Sequence, residues 1–156
     1  MMNAIVEAVH GIAAVAWVGG IFFAYMALRP AANRTLAPPL RLRLWQSAYM
    51  HFFPWVWVMI ALLLITGYVD LFSRLGGFAN ESLYLKLMHG IGLFMVAAFA
   101  YLYFGLYRRL SAAVASDDTQ TAAAVMAKMR PVMATNLTLG LLITAIGIAG
   151  PSLAAG

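Results

Sequence analysis

Four stretches of about 20 mostly apolar residues dominate this chain, and each has the length an α-helix needs to cross a hydrocarbon core of about 30 Å. In lipid every backbone N–H and C=O must find its partner inside the protein, which makes helices the natural form for such segments. Composition argues against a soluble alternative. Of the 156 residues, 64% are hydrophobic and 10% charged, and a small water-soluble fold leaves too much surface exposed to hide that much apolar material. The expected fold is all-α, an integral membrane four-helix bundle forming one domain over residues 1–156.

The first span reads as residues 3–28, closed by Arg29-Pro30 because proline cannot continue the hydrogen-bond ladder. A basic loop with Arg29, Arg34, Arg41 and Arg43 follows. The second span reads as 49–71, with Pro54 in its first turns, where a missing amide donor is tolerated. The third reads as 82–107, ending before Arg108-Arg109. Residues 121–130 read as a separate amphipathic helix ending at Pro131, and the fourth span as 132–149, closed by Gly150-Pro151. There is no internal repeat and no extended low-complexity segment.

The formal charge of +5 sits beside apolar spans, so it reads as loop charge that orients the protein rather than as a nucleic-acid surface. The first and third loops carry most of the arginine and lysine and should face the cytoplasm. Both termini and the second loop should then face the periplasm of a bacterial inner membrane, or the exterior of a cell without an outer membrane. The N-terminus has no basic segment before its apolar stretch, unlike a cleavable signal peptide. There is no cysteine, which excludes disulfides, thiolate metal sites, iron–sulfur clusters and covalent C-x-x-C-H haem attachment.

Ionisable residues inside spans are costly and each is a functional hypothesis. His10 and His89 lie a few residues into helices that start from the same side, each about 8–10 Å below its helix start at 1.5 Å per residue. Two imidazoles at matched depth in a bundle suit axial ligation of a haem iron; the alternative is a pair of hydrogen-bonded structural histidines. His51 enters from the other side and should lie far from them. Lys86 shares a helix face with His89, placed to meet a haem propionate or to snorkel to the headgroups. Gly11, Gly19 and Gly20 thin the first helix and Gly90 and Gly92 the third, as a cofactor slot or a helix-packing face would require; the same faces would suit a homodimer. Met126, Met129 and Met133 fall on one helical face and offer thioethers suited to Cu(I), although Pro131 should interrupt that face, and methionine is also a common apolar filler. The cluster Trp45, Tyr49, Phe52, Phe53, Trp55 and Trp57 reads as an interfacial belt with packing.

His10 with Trp17-Val18-Gly19-Gly20 and Phe22-Phe23 resembles the first helix of the copper-resistance D-type (CopD-like) membrane proteins. Leu64-Ile65-Thr66-Gly67-Tyr68 resembles their second-helix ending, and Tyr84-Leu85-Lys86-Leu87 the lysine-containing start of a later helix. The related HemJ-type protoporphyrinogen oxidases are similar in helix plan, first-helix histidine and lysine. They also carry a Pro-Arg-Leu segment and a further histidine after that helix, where this chain reads Met26-Ala27-Leu28-Arg29-Pro30. The resemblance implies a b-type haem, with His10 as a ligand, Lys86 as a site residue, and Trp17 and Gly20 in the cofactor-binding segment.

The expected function is a membrane b-type haem protein, ligated by His10 and His89 and exchanging single electrons with a quinol or a small redox partner. Two alternatives stand beside it: a HemJ-like protoporphyrinogen oxidase, and a copper-binding or copper-uptake membrane protein without enzymatic activity.

Overall fold

The computed structural model describes residues 2–74, 76–77 and 82–154. They form four long helices and, among the described residues, no strand. The first helix covers residues 2–35, as Met2–Phe23, a π-helical turn Ala24–Leu28 and Arg29–Thr35. The second is Pro38–Arg74. The third covers 83–115, as Leu83–Ala100, a π-helical segment Tyr101–Tyr107 and Arg108–Ala115. The fourth is Thr119–Ala154. All four are long and apolar enough to cross a membrane, and a 32-residue helix is about 48 Å long, so each projects beyond a hydrocarbon core of about 30 Å.

The helices run further than their apolar stretches, and prolines account for much of the difference. Pro30 does not end the first helix. The preceding π turn shifts the ladder, with the Arg29 N–H bonding the Ala24 carbonyl, and Pro30 falls in the first turn of the next segment, where it needs no donor. The basic loop shrinks to Leu36-Ala37, because Pro38 and Pro39 start the second helix. Pro54 consequently lies in the helix interior and not in its first turns. Pro131 breaks nothing: the amphipathic stretch and the fourth span are one continuous helix. That helix also passes Gly150-Pro151 and ends at Ala154.

The first and second helices pack as one hairpin and the third and fourth as another, joined through contacts of the fourth helix with the first and second. At the arginine-rich end the second helix also meets the π-helical segment and the last turns of the third. There Arg43 donates to the Asp117 carboxylate at 2.7 Å. Both groups are exposed, so the pair contributes at most about 1 kcal/mol. Asp118 caps the fourth helix by accepting the Thr121 backbone N–H at 2.9 Å.

The core is uneven along the bundle. Its buried apolar side chains run from Trp17 to Ile21 on the first helix, Leu42 to Ile60 on the second, Met95 to Ala113 on the third and Ala122 to Leu137 on the fourth. Phe53 is the hub, 2% exposed, stacked on Tyr49 at 4.8 Å and edge-to-face with Phe99 at 5.3 Å and Tyr107 at 5.1 Å.

Candidate functional site

At the other end of the bundle two of the three histidines meet the second helix, where Tyr68 stacks on Phe72 at 6.5 Å. His10 is half-buried, and its Nδ1 lies 2.8 Å from Thr66 Oγ1. The direction of that bond follows from the threonine. Its hydroxyl donates to the Leu62 carbonyl at 2.5 Å, and a hydroxyl has one proton. Thr66 Oγ1 therefore accepts from the His10 Nδ1–H, which leaves Nε2 as the basic nitrogen. This is the arrangement in which a histidine ligates metal through Nε2 while a second partner holds its tautomer and ring orientation. The ring lies against Gly67, where an added Cβ would meet His10 Cε1 at an ordinary contact distance of 3.6 Å.

His89 is half-buried and reaches Tyr68, with Nε2 3.4 Å from the hydroxyl and the rings edge-to-face at 5.4 Å. That hydrogen bond is at the long limit for such a pair. Thr66 and Tyr68 are two positions apart, so their side chains leave the second helix about 200° apart. The imidazoles thus reach one depth of one helix from different flanks. Lys86 lies one turn nearer the helix start and is exposed.

Trp17 and Gly20 belong to the dense core rather than to this cluster. Trp17 is 3% exposed and packs edge-to-face on Phe99 at 6.2 Å, about 10 Å along the helix from His10. The space beside Gly20 is filled by the Phe52 ring, so this glycine serves close approach of the first two helices. Gly11, Gly19 and Gly90 have nothing within 4 Å of a notional Cβ. His51 is exposed on the arginine-rich half of the second helix, with Nδ1 2.8 Å from the Ser47 carbonyl.

Met126, Met129 and Met133 are all buried on the continuous fourth helix, and the expected interruption at Pro131 does not occur. Tyr49 donates its hydroxyl to Met133 Sδ at 3.2 Å, with Met126 Sδ 3.9 Å away. Asn136, 2% exposed, reaches the Met95 carbonyl through Nδ2 at 3.5 Å, and its Oδ1 has no partner. Among the described residues no three His, Asp or Glu side chains gather as a metal cage.

Sequence reading placed the histidines by depth and missed their partners. Thr66 and Tyr68 lie in the Leu64–Tyr68 segment that carries the family resemblance, and a buried hydroxyl residue among lipid-spanning positions is the signal that could have marked Thr66. His10 fits a ligand role through its orienting bond. His89 supplies a second imidazole at the same depth, on the other flank of the second helix.

The family model described as copper resistance protein D (CopD) matches residues 46–149. That stretch includes Thr66, Lys86 and His89 and leaves His10, Trp17 and Gly20 outside it. No curated protein and no solved structure matches the chain.

Proposed function

The chain belongs to the copper resistance protein D family, and from that premise we propose that it is a multi-pass membrane protein holding a b-type haem and passing single electrons. The observation that carries the proposal is the Thr66-held His10, whose Nε2 lone pair is oriented as a metal ligand. His89, at the same depth, would be the second ligand, and to reach the same iron as His10 its ring would have to leave Tyr68 and the other flank of the second helix. A haem held by these histidines would supply reversible one-electron chemistry. The residues around it perform distinct tasks. Thr66 holds the tautomer, Tyr68 flanks the second imidazole, and Lys86 provides an ammonium near the surface for a propionate. With the arginine-rich end in the cytoplasm, the histidine end faces the periplasm of a bacterial inner membrane, within reach of quinol or a small redox partner.

An optical spectrum of the purified protein, as isolated and after dithionite, tests this. A sharp reduced α band that is lost in His10→Ala and in His89→Ala is the expected result. A colourless protein from haem-replete cells, or an unchanged low-spin spectrum in both variants, would sink it. Family membership favours a second reading, a copper-binding membrane protein that uses the same imidazoles. Stoichiometric copper in a haem-free preparation, lost in His10→Ala, would select it.

A further inference from the structure

A cleft opens at the arginine-rich end between the first and fourth helices, floored by the second, far from the histidines. Its lining includes Tyr25, Arg29 and Asn33 from the first helix, Trp45 and Tyr49 from the second, and Arg130 from the fourth. Its enclosed part is only about 20 Å³, beside Tyr49, Met126 and Met133, so the cleft is a shallow notch whose polar groups lie at its mouth.

The charge at this mouth is one-sided. Arg29 stacks over the Tyr25 ring, its Cζ 4.9 Å from the centroid, which orients the guanidinium. Arg130 faces it from the fourth helix. The Arg43–Asp117 pair lies outside the cleft, and among the described residues neither cleft arginine has a carboxylate within 4.0 Å.

The depth of the cleft identifies what surrounds it. Arg29 ends the apolar stretch of the first helix, Arg130 precedes that of the fourth, and Tyr49 begins that of the second. All three mark the plane where hydrocarbon gives way to headgroups, and Trp45 and Tyr25 are the aromatic side chains expected there. Basic pockets between helices at that level bind anionic lipid headgroups.

We propose that this cleft binds the phosphate of an anionic phospholipid from the leaflet at the arginine-rich end. Arg29 and Arg130 hold the phosphate oxygens, Asn33 adds an amide donor, and the narrow floor keeps the acyl chains outside, along the lipid-facing helix surfaces. The proposal commits to a bilayer lipid over a soluble phosphate because the mouth lies at the headgroup plane and is walled by aromatic side chains.

The test uses the full-length protein in vesicles containing spin-labelled phosphatidylglycerol or spin-labelled phosphatidylcholine. The expected result is a preference for phosphatidylglycerol of roughly tenfold, from two arginines at the surface. Arg29→Gln/Arg130→Gln should lose most of it, and Arg41→Gln/Arg43→Gln, which removes equal charge outside the cleft, should retain it. Equal association of the two lipids with wild-type protein would overturn the proposal, and that measurement depends on no variant. An equal loss in both double variants would also overturn it, by showing a diffuse basic surface. Displacement of the lipid by millimolar inorganic phosphate would reassign the cleft to a soluble anion.

Discussion

The two ends of this bundle are built on different principles. The arginine-rich half is filled by aromatic side chains that interlock across the second and third helices, with Tyr49, Phe53, Phe99, Tyr103 and Tyr107 in mutual ring contact. In the histidine half, Met88 and Tyr84 of the third helix fill the space beside Gly147 and Gly150 of the fourth, and two polar pairs are added: His10 with Thr66 and His89 with Tyr68. Apart from Ala32, the buried apolar side chains outside the main core are Ala13 and Leu71, among the described residues. In lipid, helices gain little from hydrophobic transfer between one another and cohere by close packing and hydrogen bonds. The difference therefore separates a half locked by aromatic ring contacts from a half that packs on small residues and also keeps nitrogen donors in place.

The largest expected effect breaks the aromatic half. Phe53→Ala removes the hub ring and should cost about 3 kcal/mol. Phe94→Ala, at a position 56% exposed toward lipid, should change stability by less than about 0.5 kcal/mol. Unfolding in mixed micelles at increasing denaturing detergent measures both, and equal losses would show that the ring contacts do not lock that half.

A smaller effect should appear in the histidine half, in function more than in stability. Thr66→Val keeps the side-chain shape and removes the acceptor of the His10 Nδ1–H. Cofactor affinity should fall on the order of tenfold with the unfolding midpoint nearly unchanged. Unaltered affinity in a haem titration would mean that Thr66 does not orient the ligand.

Asn136 lies where the halves meet, beside Leu137 at the end of the dense core. Its buried, unpartnered Oδ1 is an energetic cost. Asn136→Leu should stabilise the protein by about 1 kcal/mol in the same unfolding assay. Destabilisation would show that the long bond to Met95 is worth more than the orphaned oxygen costs.

The smallest effect lies outside the membrane, at the turn closing the arginine-rich end. The Thr121 side chain, followed by its backbone N–H, holds the Asp118 carboxyl below its usual value. A carboxylate depressed in the folded state stabilises above its unfolded pKa, and that contribution is lost as pH falls through the folded value. Asp118→Asn should therefore lower the thermal midpoint slightly at pH 7 and match wild type near pH 3. An offset that persists unchanged at pH 3 would rule out the charge as its source.

The four-helix membrane plan was legible in the sequence because hydrophobic length is a local property, and any window of the chain reports it. Helix ends were legible only in part. Pro30 and Pro131 carry a local breaking signal, and both sit inside continuous helices. A π turn absorbs the first, and the second helix packed along the fourth's methionine face supports the passage through the second. Depth, too, could be counted from helix starts, which placed His10 and His89 together and His51 apart.

Rotation about each helix axis could not be counted in that way. A histidine at a given depth faces lipid, a neighbouring helix or the bundle interior according to how the helices pack, and that is a non-local outcome. The sequence by itself determined the number of helices and which end of the bundle carries the arginines. Only the tertiary structure decided that His10 bonds Thr66, that His89 meets Tyr68 on another flank of the same helix, that Trp17 and Gly20 lie in the packed half, and that Arg29 and Arg130 share one cleft. Composition and periodicity act through each residue's own transfer energy, whereas these pairings arise from side chains more than ten residues apart filling one another's space.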